Sequence, residues 1–366
     1  MRNKQAANIT MSGGGLYSLA TRGAKDVIDI ATPRVLDAIK AMQIPTHRKD
    51  FSMVDMGCAD AGTSLEMVRC VIEQLQKSSP DIHTTIIYAD QPANDFNALI
   101  NIVHGRTEFE SWLGNFDNAW ALVSGSSFYL QCVPDHSLDM VFSATAMHWL
   151  SQKPCNISNH VHMVGASGKE YEAFAEQARD DWQTILLCRA REMKSGGKMV
   201  LVNFCRDQDG HYLGNTGGIN MFDTFNEIWI EMLNDGRIGE QEYRNMTLPQ
   251  YYHTIEEFSE PLRDPTHACY QAGLRLDNIE TRVVRCPFAE QFENDHNIKK
   301  FADGLIPTVR SWNQSIFAAG LDADRSARER EAVIEEYYGR YHQRVMDNPK
   351  GHGMDYVHAY MTISRV

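Results

Sequence analysis

The chain has 366 residues, 43% of them hydrophobic, which is enough for one large domain or a domain with a substantial cap. Its 35 basic and 48 acidic side chains leave a formal net charge of -13, which argues against a duplex nucleic acid as partner but not against a small anion in a locally positive pocket. Eight scattered cysteines without a C-x-x-C pair read as reduced, mostly buried thiols of a cytoplasmic protein. The polar stretch Met1 to Thr10, and the lack of any run of about 18 apolar residues, predict neither export nor a membrane span.

The first strand signal is Phe51 to Met56, a short apolar run. It leads into the small-residue turn DMGCADAGTS, Asp55 to Ser64, and then into a helix expected to end near Lys77 to Pro80. Thr84 to Asp90, Leu138 to Ser143 and Gly196 to Asn203 are the next strand signals. Each is nearly continuous in apolar residues, the pattern of strands covered on both faces. From Tyr171 to Met193 the apolar positions Phe174, Ala178, Trp182, Ile185, Leu186 and Ala190 fit helical spacing, and EMKSGGKMVLV reads as a basic last turn, a glycine stop and a new strand. This alternation predicts an α/β fold with an open, mostly parallel sheet.

After Arg206 the texture changes. Asn220 to Leu233 is an aromatic-rich helix, Pro249 to Pro265 is broken by prolines, and Asn297 to Tyr341 reads as two further helices. Arg275 to Val284 and the terminal YVHAYMTISRV are strands. The expected division is an α/β core over 1–206, a helical cap over 207–270 and 297–345, and return strands of the core over 271–296 and 346–366.

In an open parallel sheet, ligands sit outside the carboxyl ends of the strands, where Asp55 to Thr63 lies. The turn is not G-x-G-x-x-G and lacks a P-loop lysine, so the phosphate-cradling readings lose ground. An acid followed by small residues suits a phosphate-free ligand whose cationic part approaches the backbone closely. Asp90 ends the next strand, where one carboxylate accepts both hydroxyl protons of a ribose. The alternative is that both acids merely cap helices.

Three further phrases follow in order: ADQPANDFNALI (Ala89 to Ile100), SSFYLQCVP (Ser126 to Pro134) and FSATAMHWLSQKP (Phe142 to Pro154). With them the chain resembles the SABATH methyltransferases, small-molecule carboxyl and N-methyltransferases that use S-adenosylmethionine. That family's phrases are of the types D-L-G-C-S-S-G-P-N, N-D-L-P-x-N-D-F-N, G-S-F-Y-x-x-L-x-P and S-S-x-S-L-H-W-L-S. The opening MSGGGLYSLATRGAKDVID and the stretch CRAREMKSGGKMVL also resemble family phrases. GAKDVID and CADAGTS look more like a non-plant branch.

The resemblance implies a Rossmann-like class I methyltransferase sheet with a mainly helical substrate cap. It implies S-adenosylmethionine as methyl donor, S-adenosylhomocysteine as product, a small-molecule acceptor and a homodimer. Carried over by motif, Asp55, Gly57 and Ala59 line the methionine end of the cofactor, with Asp55 toward the ammonium group. Thr63 stands where the family commonly has Asn. Asp90 takes the ribose hydroxyls, Gln91 lies against the adenine, Ser127 and Phe128 flank it, and Ser143 and Thr145 lie near the sulfonium.

Methyl transfer from a sulfonium is an in-line displacement, and a carboxylate nucleophile arrives ionised, so positioning carries most of the catalysis. His148 and Trp149 match the family's His-Trp pair, with Trp149 as the orienting donor, His148 as its companion and Met147 beside them; the alternative is that both rings are packing residues. Ser12 and Asp26 fall where plant enzymes often carry a donor and a Gln. A carboxylate at Asp26 repels an acid substrate unless Arg22, Lys25 or a donor on the substrate compensates. Met221, Phe222, Val309, Trp312 and Tyr338 are expected on the cap walls of an apolar, aromatic pocket. No metal-ligand set matches, and none is expected. The leading expectation is methyl-ester formation on a small, partly apolar acid. An N- or O-methyltransferase of a heterocycle or phenol, with His148 as base, is the alternative that Asp26 favours. A silent homologue that only binds S-adenosylmethionine is disfavoured by the intact set of acids and the His-Trp pair.

Overall fold

The computed structural model describes residues 18, 21–42, 44, 45 and 47–366. Seven strands form one sheet: β1 (Asp50–Met56), β2 (His83–Asp90), β3 (Ala119–Gly125), β4 (Leu138–Ala144), β5 (Met193–Phe204), β6 (Leu274–Val284) and β7 (Tyr356–Arg365). Their order is β3-β2-β1-β4-β5-β7-β6. The first five run parallel, and β7 pairs antiparallel with both β5 and β6. β1 has β2 on one side and β4 on the other, so the chain reverses its winding at β1. A crevice opens at such a reversal, beyond the carboxyl ends of the strands.

The helices pack on both faces. α1 (Arg22–Ala41) and α2 (Leu65–Ser78) lie together, and the buried Val27, Ala31 and Val35 of α1 share a core with Val68 and Ile72 of α2. On the other face α4 (Gly168–Glu192), which follows α3 (Phe96–Val103), brings Trp182, Ile185 and Leu186 against Val54, Val141 and Leu201. The buried Arg189–Glu192 pair at the end of α4 ties it to the loop after β3: Arg189 donates to the carbonyls of Phe128 and Leu130, each at 2.8 Å.

Two local expectations are corrected. No glycine stop separates α4 from β5. Met193 takes extended dihedrals directly after the helix, and Gly196, at φ +80°, lies inside β5 where its register against β4 shifts. β3 escaped the reading of the sequence because it is an edge strand. Trp120, Leu122 and Val123 are exposed, so it lacks the buried signature of its neighbours.

Between β5 and β7 the chain adds α5 (Met221–Asn234), α6 (Glu240–Asn245), α7 (Ile255–Arg263), α8 (Ala268–Gln271), α9 (Pro287–Asp295), α10 (Ile298–Gly320) and α11 (Ala327–Asp347). Trp229 of α5 meets Phe317 of α10 at 5.3 Å and Tyr337 of α11 at 5.7 Å, so aromatic contacts join these three helices. Among the described residues, no helix is long and apolar enough to cross a membrane.

Candidate active site

β1 carries Asp55 one residue before its end and β2 ends in Asp90, and the turn after β1 is clamped to the end of β2. The Gly57 amide donates to the Ala89 carbonyl at 2.8 Å, and the Ala59 amide to one Asp90 oxygen at 2.8 Å. The Gln91 amide takes the other Asp90 oxygen at 2.7 Å, and Asn94 donates to the Ala59 carbonyl at 2.8 Å. The path requires left-handed backbone at Gly57 (φ +72°), Ala59 (φ +48°) and Ala61 (φ +65°). A Cβ on Gly57 would also collide with Ala146, which is why glycine stands there.

The two acids differ in surroundings. Asp90 is half-buried on the cleft wall; each oxygen accepts one amide, which leaves acceptor sites for a ligand. Burial pushes its carboxyl up to about 6. Asp55 is 3% exposed and accepts from Ser64 Oγ at 2.7 Å. Burial pushes its carboxyl up to about 7, against the pull of the Ser64 hydrogen bond and helped by the charge of Asp90. Asp55, Gly57, Thr63 and Thr145 line a small inner void together with Ala24 and Ile28 of α1.

That void adjoins a cleft of about 1050 Å³, counting the part open to solvent. One end is lined by Gly57, Ala59, Asp90, Gln91 and Asn94, with Ser127, Phe128 and Tyr129 from the loop after β3. The other holds His148, Trp149, Leu150, Phe204, Leu213, Gln250, Met354 and Tyr356, and Trp312 of α10; Thr21, Ala24, Thr145 and Ala146, which abuts Gly57, also line the cleft.

His148 is 4% exposed. Its ring and that of Phe204 meet edge to face with centroids 4.7 Å apart, and burial drives its pKa down to about 3. Its Nδ1 has no partner. Trp149 is half-buried, with its ring 6.4 Å from Trp312, and its carbonyl accepts from the Tyr129 hydroxyl. Thr145, left-handed at φ +57°, holds its hydroxyl 3.1 Å from Nε2 of His358.

The cleft therefore gathers Gly57, Ala59, Asp90, Gln91, Ser127, Phe128, Thr145, His148, Trp149 and Trp312, and the inner void adds Asp55 and Thr63. Other expected residues lie elsewhere. Ser143 is fully buried and spends its hydroxyl on the Met56 carbonyl at 2.8 Å, tying β4 to β1. Met147 packs into the core on the α4 face. Met221, Phe222, Val309 and Tyr338 are core of the added helices: Phe222 stacks on His162 at 3.9 Å, and Tyr338 donates to Asn313. Asp26 is off the cleft, because the face of α1 turned to it carries Thr21, Ala24 and Ile28, and two residues past Ala24 is the far flank of a helix. Ser12 lies outside the described residues.

Sequence reasoning missed Asn94, Tyr129, Phe204, Gln250, Met354 and Tyr356. Asn94 and Tyr129 sit inside phrases it singled out; the others come from segments with no distinguishing motif. Asp207, Asp209 and His211 converge in the loop after β5, where Asp207 accepts the amides of Asp209 and His211 at 3.0 and 2.8 Å.

Over residues 7–365 the sequence matches the family described as SAM-dependent carboxyl methyltransferase. The chain belongs to that family. Relatives within this methyltransferase family include indole-3-acetate O-methyltransferase 1 of Arabidopsis thaliana, 27% identical over 57% of this chain and 59% of that one. Gibberellic acid methyltransferase 1 of the same plant is 25% identical over 75% of this chain and 77% of its own. Its salicylate/benzoate carboxyl methyltransferase is 24% identical over 70% of each. The match to the first of these spans under two thirds of that relative's length. A solved loganic acid methyltransferase with SAH superposes with a TM-score of 0.74 over 97% of this chain and 98% of that one. At 19% identity this likeness speaks for the fold, a class I methyltransferase sheet. The methyl donor of the family is S-adenosylmethionine.

Proposed function

We propose that this protein methylates the carboxylate of a small, partly apolar acid to give its methyl ester. The observation that carries the reading is the state of His148. Burial keeps its imidazole neutral down to about pH 3, so it is a poor base for a phenol or ring nitrogen, whereas a carboxylate needs none. The indole N–H of Trp149, at the cleft beside it, is a donor that cannot accept. It orients the acceptor oxygen, and the surrounding Phe204, Leu213, Met354 and Trp312 suit an apolar body.

The cleft's other end fits the family's cofactor. Asp55 is a buried carboxylate with a raised pKa, which a cationic ammonium group relieves. Asp90 has acceptor capacity left for two ribose hydroxyls. Gln91, Ser127 and Phe128 flank the adenine in this reading, and Gly57, Ala59, Thr63 and Thr145 line the methionine end. When bound, S-adenosylmethionine supplies an electrophilic methyl group on a sulfonium that leaves as a neutral thioether. The chain's residues hold the acceptor in line and exclude water.

The alternative acceptors lose support, since Asp26, which favoured them, does not face the cleft. In the same reading the helices over 207–270 and 297–345 act as the substrate cap on a core made of the remaining segments, in a cytoplasmic homodimer. Calorimetry with S-adenosylmethionine, followed by a methyl-transfer screen over acids, phenols and purines, tests the proposal. Cofactor binding with ester products from acids is expected. Products from phenols or purines alone overturn the acceptor class, and absence of cofactor binding overturns the whole reading.

A further inference from the structure

Residues 249–251 run beside the His-Trp pair. The Leu150 amide donates to the Pro249 carbonyl at 2.8 Å, and the Tyr251 amide to the His148 carbonyl at 3.0 Å, so Gln250 sits across an antiparallel bridge from Trp149. The Gln250 side chain is fully buried yet lines the cleft.

Its neighbours decide which way the carboxamide faces. The Val164 amide donates to Nδ1 of His162 at 3.3 Å, so that nitrogen carries no proton. His162 is buried and held neutral, and its one proton is therefore on Nε2, 3.2 Å from the Gln250 side-chain oxygen. The Tyr252 hydroxyl donates to the same oxygen at 3.1 Å. A flipped amide would set N–H against the imidazole N–H, so the oxygen is pinned between two donors. The amide nitrogen is left at the other end, buried and without a partner. Leaving a buried donor unmet is costly, and a ligand at the cleft removes that cost.

We propose that Gln250 Nε2 is a second donor to the methyl acceptor, forming with Trp149 Nε1 a two-point clamp on its carboxylate. The inference rests on the carboxylate reading and deepens it. Two neutral donors from paired backbone segments fix the plane of the carboxylate as well as its position. They favour an acid over its amide, because an amide brings its own N–H groups to a site that already consists of donors.

Gln250→Glu separates this role from a structural one. A carboxylate still accepts from His162 and Tyr252, but it replaces the free donor with an acceptor. With the acid that the wild type esterifies fastest, KM should rise about tenfold to a hundredfold, the loss associated with one buried hydrogen bond to a charged group. S-Adenosylmethionine affinity by calorimetry should stay near wild type, while the thermal midpoint should fall as the pH rises, because a carboxylate in this fully buried position resists ionisation. In the presence of S-adenosylhomocysteine, titration calorimetry should show the wild type preferring that acid over its primary amide, and Gln250→Glu reversing the preference. If Gln250→Glu does not fold, Gln250→Met, of similar shape and without a donor, should show the same rise in KM. An unchanged acid KM and an unchanged acid/amide preference in a folded variant overturn the inference alone. A wild type that esterifies no acid overturns the carboxylate reading and this inference with it.

Discussion

Replacing Asp55 with Asn isolates the electrostatic cost of the inner void proposed to take the cofactor's ammonium end. Asp55 is 3% exposed, and burial is the chief reason that its carboxyl is pushed from the ordinary 3.8 up to about 7. Because the folded pKa is raised, the associated stabilisation is full below about pH 4 and is lost as the pH climbs through 7. At about 1.36 kcal/mol per pH unit, the gap between 3.8 and about 7 amounts to about 4 kcal/mol against the cofactor-free fold at about pH 8. Asn keeps an oxygen for the Ser64 hydroxyl and does not titrate. With an unfolding entropy of about 2.1 cal/mol/K per residue, a chain of 366 residues gives roughly 0.8 kcal/mol/K. Cofactor-free Asp55→Asn should therefore melt about 5 °C above wild type at about pH 8, the difference shrinking toward zero near pH 4. The same variant should lose affinity for S-adenosylmethionine while binding adenosine, which lacks the ammonium, nearly as before. Scanning calorimetry at the two pH values and titration calorimetry with the two ligands check both halves. A variant no more stable than wild type at the higher pH, or equal losses for both ligands, would refute the reasoning.

Asp90→Ala removes a carboxylate proposed to accept two ribose hydroxyls, each such bond contributing about 1.5–3 kcal/mol, so cofactor affinity should fall at least a hundredfold in titration calorimetry while circular dichroism shows the fold intact. Since Asp55 and Asp90 titrate near 7 and 6 in the cofactor-free protein and must ionise to bind, the S-adenosylmethionine dissociation constant should tighten as pH rises from about 5 to 7 and level off above about 7.5. Trp149→Phe should lower kcat and raise KM for the acid, with a loss on the order of tenfold to a hundredfold in kcat/KM. His148→Asn should be tolerated better than His148→Ala in steady-state assays, and the single-turnover rate of the saturated enzyme should stay nearly flat between about pH 6.5 and 8.5, because His148, held near 3, does not titrate there.

The strand-end part of the candidate site was readable from sequence for a physical reason. β1, β2, β4 and β5 are central parallel strands buried on both faces, so they read as continuous apolar runs, and Asp55 and Asp90 mark where β1 and β2 end. The exposed edge strand β3 carries no such run. On the acceptor side only the His-Trp pair and Trp312 were legible. Phe204, Gln250 and Met354 come from three separate segments that meet only in the folded chain, and nothing local marks them. The phase of α1 was also out of reach: ungapped reading put Asp26 against the substrate, whereas the packing of Val27, Ala31 and Val35 turns Thr21 and Ala24 to the cleft instead. Met221, Phe222, Val309 and Tyr338 show the converse, since aromatic and apolar residues of a cap look alike in sequence whether they face a pocket or each other.

The central claim is that the acceptor atom is a carboxylate oxygen, and the fate of a transferred label tests it most directly. The protein is incubated with S-adenosylmethionine labelled in its methyl group and the best acceptor from the screen, and the product is then treated with mild base. A methyl ester releases the label as volatile methanol, which is the result this account predicts. Label that stays with the product through base treatment marks an ether or N-methyl bond and contradicts it.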